Sequence, residues 1–69
     1  MNGEQEIKGK IAGLEARLRA VTQEKGAAAI EGGGWHDNPA FDILQEEELM
    51  IREQIRNLRE QLWNAHRPA

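Results

Sequence analysis

Two stripes of apolar residues at heptad spacing, one on each side of a glycine-rich centre, constrain this 69-residue chain more than any other feature. In both halves the stripe positions recur at alternating intervals of three and four residues. This spacing is typical of helices that pair along a narrow apolar seam. The seam has two polar members, Lys25 and Glu48, and its apolar members are Ile7, Ile11, Leu14, Leu18, Val21, Ala28, Phe41, Leu44, Ile51, Ile55, Leu58 and Leu62.

The centre of the chain contains the one strong helix-breaking segment, three consecutive glycines at positions 32–34 followed by Pro39. Glycine commonly ends a helix and proline commonly begins one, so this segment predicts a loop between two helices. A short connection makes the helices antiparallel. We therefore expect an all-α fold, a single antiparallel two-helix coiled-coil hairpin spanning residues 1–69. Helix 1 is predicted at about 4–30, a Gly-rich tip loop at about 31–38 and helix 2 at about 39–66.

The two stripes also predict a register. Facing residues of an antiparallel hairpin have numbers that add to a constant, and with a sum of 69 every seam residue of one half faces a seam residue of the other. This register places Leu18 opposite Ile51 in the middle of the rod and Val21 opposite the polar Glu48. Independent stripes rarely match along their whole length, so the agreement favours the hairpin.

Composition excludes several classes of protein. The chain has no cysteine and a net charge of −3, which argues against thiolate metal sites and against a direct nucleic-acid grip. Its longest apolar run is Ala27–Ile30, too short to cross a membrane, and Met1 begins no basic-then-apolar secretory signal. We expect a cytoplasmic protein with no membrane partner. A single seam across two helices makes a thin core, so self-association is a further expectation.

The tip carries the residues whose side chains are suited to binding a ligand or a metal ion. In one interpretation it is only a loop, in which Asn38 caps helix 2 and Pro39 occupies its first turn. In the other, Trp35 lies among glycines with no local core to enter, and Asp37 offers a carboxylate to a divalent cation already held by another macromolecule. The adjacent His36 makes only a weak zinc signal.

Over essentially its whole length, the chain resembles the N-terminal coiled-coil domain of the Gre-type bacterial transcript cleavage factors. That family's tip typically reads Gly-Asp-x-x-Glu-Asn-Ala-Glu-Tyr, and its second helix contains an Arg-Ile-x-x-Leu-Glu-x-x-Leu stretch. The most specific shared part is the acid-Asn-x-x-aromatic core, Asp37-Asn38-x-x-Phe41. The rest of the similarity, including Ile55-Arg56-Asn57-Leu58-Arg59-Glu60-Gln61-Leu62, follows the heptad pattern.

The resemblance implies a transcription elongation regulator whose tip enters the secondary channel of RNA polymerase and modulates or stimulates transcript cleavage. Such a protein is not an enzyme and has no catalytic residue of its own. It binds no cofactor alone, and Asp37 would share a Mg²⁺ ion with the polymerase. Gly34 stands where the family has its first acid, which favours modulation over strong stimulation. The expected functional tip residues are Asp37, Asn38, Phe41, Trp35 and His36.

The alternative is a structural coiled-coil interaction or dimerisation module with no polymerase role. Ile43, Leu49, Met50 and Trp63 fall outside the strict seam and could form a second apolar surface. A free-standing enzyme is disfavoured, because the chain contains no Ser, Cys or Tyr and two helices form no deep pocket.

Overall fold

The computed structural model of the chain describes residues 3–31 and 38–66. The described residues form two helices, α1 (Gly3–Glu31) and α2 (Pro39–His66), which pack against each other along their length. The chain is a rod of 53 × 19 × 12 Å. These helices confirm the predicted all-α helical hairpin. Neither α1 nor α2 has an apolar stretch long enough to cross a lipid bilayer.

The helix bounds follow from the breakers in the sequence. α2 begins at Pro39, whose missing N–H would have no helical partner in a first turn, and it ends at His66. α1 runs one residue further at each end than its expected range, so Glu31 belongs to the helix and not to the loop. Glu31 directly precedes the three consecutive glycines, and no helix-breaking residue separates it from Ile30.

The core lies where the heptad pattern places it. Ile11, Val21, Ile51 and Ile55 are buried, and Val21 is fully inaccessible to solvent. Because these four residues come from the middle parts of both helices, apolar burial is concentrated there. The partly buried residues packed around them are Ile7, Leu14, Leu18, Leu44, Leu58 and Leu62, all members of the predicted seam.

Polar contacts between the helices agree with the predicted register. The Arg17 guanidinium binds the Glu47 carboxylate through Nε at 2.8 Å and through a second nitrogen at 2.6 Å. Further along the rod Arg59 lies 3.1 Å from Glu15. These two pairs have residue numbers that add to 64 and 74, on either side of the predicted 69. Long side chains that reach one layer up or down account for this spread.

Candidate functional site at the base of the tip

Asn38 connects the two helices at the base of the tip. Its side chain is buried, with only 7% of the residue exposed. The Nδ2 group donates a hydrogen bond to the carbonyl oxygen of Ala28 in α1 at 2.8 Å. The Oδ1 atom accepts one from the backbone N–H of Phe41 in α2 at 3.1 Å. One amide side chain therefore holds both helices at this end of the rod.

Both backbone groups that Asn38 binds lie at helix ends. The carbonyl of Ala28 belongs to the last turn of α1. The N–H of Phe41 lies in the first turn of α2, where the N–H groups also lack helical partners. The carbonyl of Asn38 accepts the first helical bond, from Asp42 N–H at 3.0 Å. Asn38 is thus the N-cap of α2, as the loop interpretation predicts, and its side chain also binds the last turn of α1.

Phe41 lies on the seam side of α2, next to this cap, and is half-buried. The Lys25 ammonium lies 5.4 Å from the centre of the Phe41 ring, within the range of a cation–π interaction. The same ammonium group donates a hydrogen bond to Glu48 at 3.1 Å. The aromatic residue of the tip motif is therefore joined to a polar group of the seam.

The polar group consists of Lys25, Glu48 and Thr22. The Thr22 hydroxyl lies 3.2 Å from the second Glu48 carboxylate oxygen, and the Glu48 side chain is only 12% exposed. The hydrogen bond from Lys25 holds the pKa of Glu48 below its usual value, with smaller help from Thr22 and Arg52 against the opposing effect of burial. Glu48 is consequently held as an anion in the seam.

Sequence reasoning placed Lys25 and Glu48 in the seam but missed that they bind each other. It set Lys25 opposite Leu44 and Glu48 opposite Val21. Lys25 and Glu48 lie in adjacent layers of that register, on opposite helices and with opposite charges. This diagonal complementarity was a readable signal for the pair.

Of the five predicted tip residues, the structure describes two. It brings Asn38 and Phe41 together through the capping hydrogen bond. Trp35, His36 and Asp37 lie outside the described residues, as does Gly34 at the position of the family's first acid. Across residues 3–31 and 38–66 the acidic and histidine side chains form no cluster of three that could hold a metal ion.

Comparison of the chain with protein-family models, with curated proteins and with solved structures finds no match.

Proposed function

We propose that the hairpin is a Gre-like regulator that presents its tip to the secondary channel of RNA polymerase and modulates transcript cleavage or elongation there. The observation that supports this role is the double hydrogen bond of Asn38, which fixes the chain immediately after Asp37 to both helices. A carboxylate can serve another protein's reaction centre only if its attachment is held in place. The cap supplies that fixed attachment at the end of a narrow rod.

The chemistry in this proposal belongs to the polymerase. Asp37 lends an oxygen ligand to a Mg²⁺ ion that the polymerase already holds in part, which is how a second macromolecule can complete a two-metal site. Gly34 supplies no second carboxylate, so ion recruitment is weaker than with two tip acids. The hairpin therefore acts more as a modulator of the stalled polymerase than as a strong stimulator of cleavage.

The test is a cleavage assay on a stalled, backtracked RNA polymerase complex with added hairpin. We expect the hairpin to bind core polymerase and to change the rate of cleavage or of renewed elongation. Asp37→Ala should remove any cleavage stimulation without loss of binding, and Gly34→Asp should increase it by adding a second ligand. Glu46→Gln, which neutralises an exposed carboxylate further along α2, is the matched control and should change neither readout. Absence of binding and of any rate change would overturn the proposal.

A second role is favoured by a different observation, the exposure of large apolar side chains. Ile30, Ile43, Leu49, Met50 and Trp63 are each at least 59% exposed, on a rod with few buried residues. A structural interaction module would use such side chains to bind another protein, with no polymerase involved. Core polymerase separates the two roles, because an interaction module with no polymerase role should neither bind core polymerase nor change its cleavage rate.

A further inference from the structure

One exposed face of α2 carries a pattern that the tip-based proposal does not use. We call this face the α2 flank. It begins at Leu49 and ends at Trp63, which are 59% and 71% exposed. Between them, positions spaced by three or four residues share the same side of the helix. The flank consists of Leu49, Arg52, Glu53, Arg56, Arg59, Glu60 and Trp63.

The part of the flank that ends at Trp63 borders a groove with an apolar floor. Trp63 and three arginines of the flank border a groove between the helices, and Leu18 and Ile55 form part of its lining. A second groove at the other end of the flank is lined by Leu49 and shares Arg52 and Arg56 with the first. The two grooves make one continuous strip along α2.

Charged residues of the flank lie at equal distances on either side of Arg56, with opposite signs on the two sides. Four residues before this centre stands Arg52, and four residues after it stands Glu60. Three residues before the centre stands Glu53, and three after it stands Arg59. Every positive charge at one distance from the centre is thus matched by a negative charge at the same distance on the other side. The apolar ends, Leu49 and Trp63, lie seven residues from the centre in each direction.

We propose that the α2 flank binds a second copy of this chain in an antiparallel, two-fold symmetric dimer centred on Arg56. A two-fold axis at that residue sets Leu49 of each copy against Trp63 of the other. It also sets Arg52 against Glu60 and Glu53 against Arg59. A two-fold interface must be complementary to itself, and this pattern meets that requirement.

The large solvent-accessible surface of the hairpin also supports binding of a second copy. The hairpin has 5349 Å² of accessible surface. A compact monomeric protein of its mass exposes about 4,400 Å², so the hairpin exposes roughly 1,000 Å² more. A standard protein interface buries about 800 Å² from each partner, which is close to this excess. With no cysteine in the chain to form a disulfide, a second copy is a means of burying that surface.

The contacts within one hairpin are compatible with this arrangement. Arg59 lies 3.1 Å from Glu15, and Arg52 lies 3.9 Å from Glu48. A guanidinium has five N–H donors and can bind a second carboxylate while keeping the first. The side chains of these two arginines are 62% and 58% exposed, so their heads are accessible to a partner. The two copies of Arg56 meet at the axis as like charges, with Glu53 and Glu60 one turn away on each side.

The first test measures the monomer–dimer equilibrium. Sedimentation equilibrium of the purified chain between about 1 μM and 1 mM should show a monomer–dimer transition. Leu49→Ala and Trp63→Ala should each weaken dimerisation by about tenfold or more, since apolar anchors dominate interfaces. The matched controls are Met50→Ala and Ile43→Ala, which shorten exposed apolar side chains outside the flank. A monomer at every concentration, or equal effects of flank and control variants, would overturn the proposal.

Charge-reversal variants test whether Arg52 of one copy faces Glu60 of the other. Arg52→Glu and Glu60→Arg should each weaken the dimer, because each places like charges against the partner copy. The double variant Arg52→Glu with Glu60→Arg should recover most of the lost affinity, since the two positions face each other across the axis. Gln54→Arg, a charge change on the opposite side of α2, should have no effect. Failure of the double variant to recover affinity would exclude this register.

The position of the axis is tested by cross-linking. The chain has no cysteine, so Arg56→Cys provides a single thiol at the predicted centre. A short bis-maleimide should link two copies of this variant efficiently and two copies of Met50→Cys poorly. Efficient linkage of the Met50 variant and poor linkage of the Arg56 variant would place the interface elsewhere. Circular dichroism on each variant shows whether the helices are retained, and all of these measurements are made without polymerase.

Discussion

Asn38 makes two side-chain hydrogen bonds that stabilise different helices, and the two can be separated by substitution. Aspartate caps a helix as well as asparagine does, but it has no N–H group to give to the Ala28 carbonyl. Asn38→Asp should therefore lower the free energy of unfolding by about 1–3 kcal/mol, because it loses the interhelical bond and sets a carboxylate oxygen against the Ala28 carbonyl. Urea denaturation at one fixed protein concentration measures this loss.

The control for the Asn38 variant is the same chemical change at an exposed site. Asn57→Asp alters an exposed asparagine of α2 and should change stability by less than about 0.5 kcal/mol. Equal stability of Asn38→Asp and the native chain would show that the bond to Ala28 does not hold the base of the tip. The support for the proposed tip function would then be lost as well.

Glu48 makes the stability of the hairpin depend on pH. Because Lys25 lowers the pKa of Glu48 in the folded chain, the unfolded chain binds a proton more readily. The contribution of Glu48 is therefore complete above its ordinary pKa of 4.5 and is lost as the pH falls below that value. Glu48→Gln should be less stable than the native chain at neutral pH and should lose less stability on acidification.

Thermal or urea unfolding at neutral pH and at about pH 3 measures this difference. Glu46→Gln, at an exposed position two residues away, should leave the pH dependence close to that of the native chain. An identical loss of stability in the native chain and in Glu48→Gln would contradict a role for the Lys25–Glu48 pair.

At the scale of the helices, α1 contains glycines that its packing does not require. A Cβ atom built at Gly9 or at Gly13 would meet no atom within 4 Å. Glycine costs a helix interior up to about 1 kcal/mol relative to alanine, so Gly9→Ala and Gly13→Ala should each raise the free energy of unfolding by up to that amount. The reverse change at an exposed position, Ala16→Gly, should lower it. A loss of stability in both glycine variants would mean that α1 needs close backbone approach at these positions.

At the scale of the whole molecule, the seam was predictable and the polar contacts were not. A heptad period fixes which side of each helix is buried, so it predicted that Ile51 and Ile55 would lie in the core with residues of the other helix. Long charged side chains reach beyond their own layer, and a layer-by-layer register could not choose partners for Arg17 or Lys25. At the tip, asparagine before proline predicted the cap of α2. The bond from Asn38 back to Ala28 depends on how closely the two helices approach, which a sequence pattern does not specify.

The contacts that hold the two helices together differ along the length of the described rod. Its middle is held by buried isoleucine and valine, whereas the layers next to the tip are held by an amide, an ammonium group and a carboxylate. Salt and acid weaken ionic contacts much more than they weaken apolar burial. The tip end can therefore be loosened by solution conditions that leave the middle intact, so the hairpin has a built-in order of opening that hydrogen exchange would reveal residue by residue.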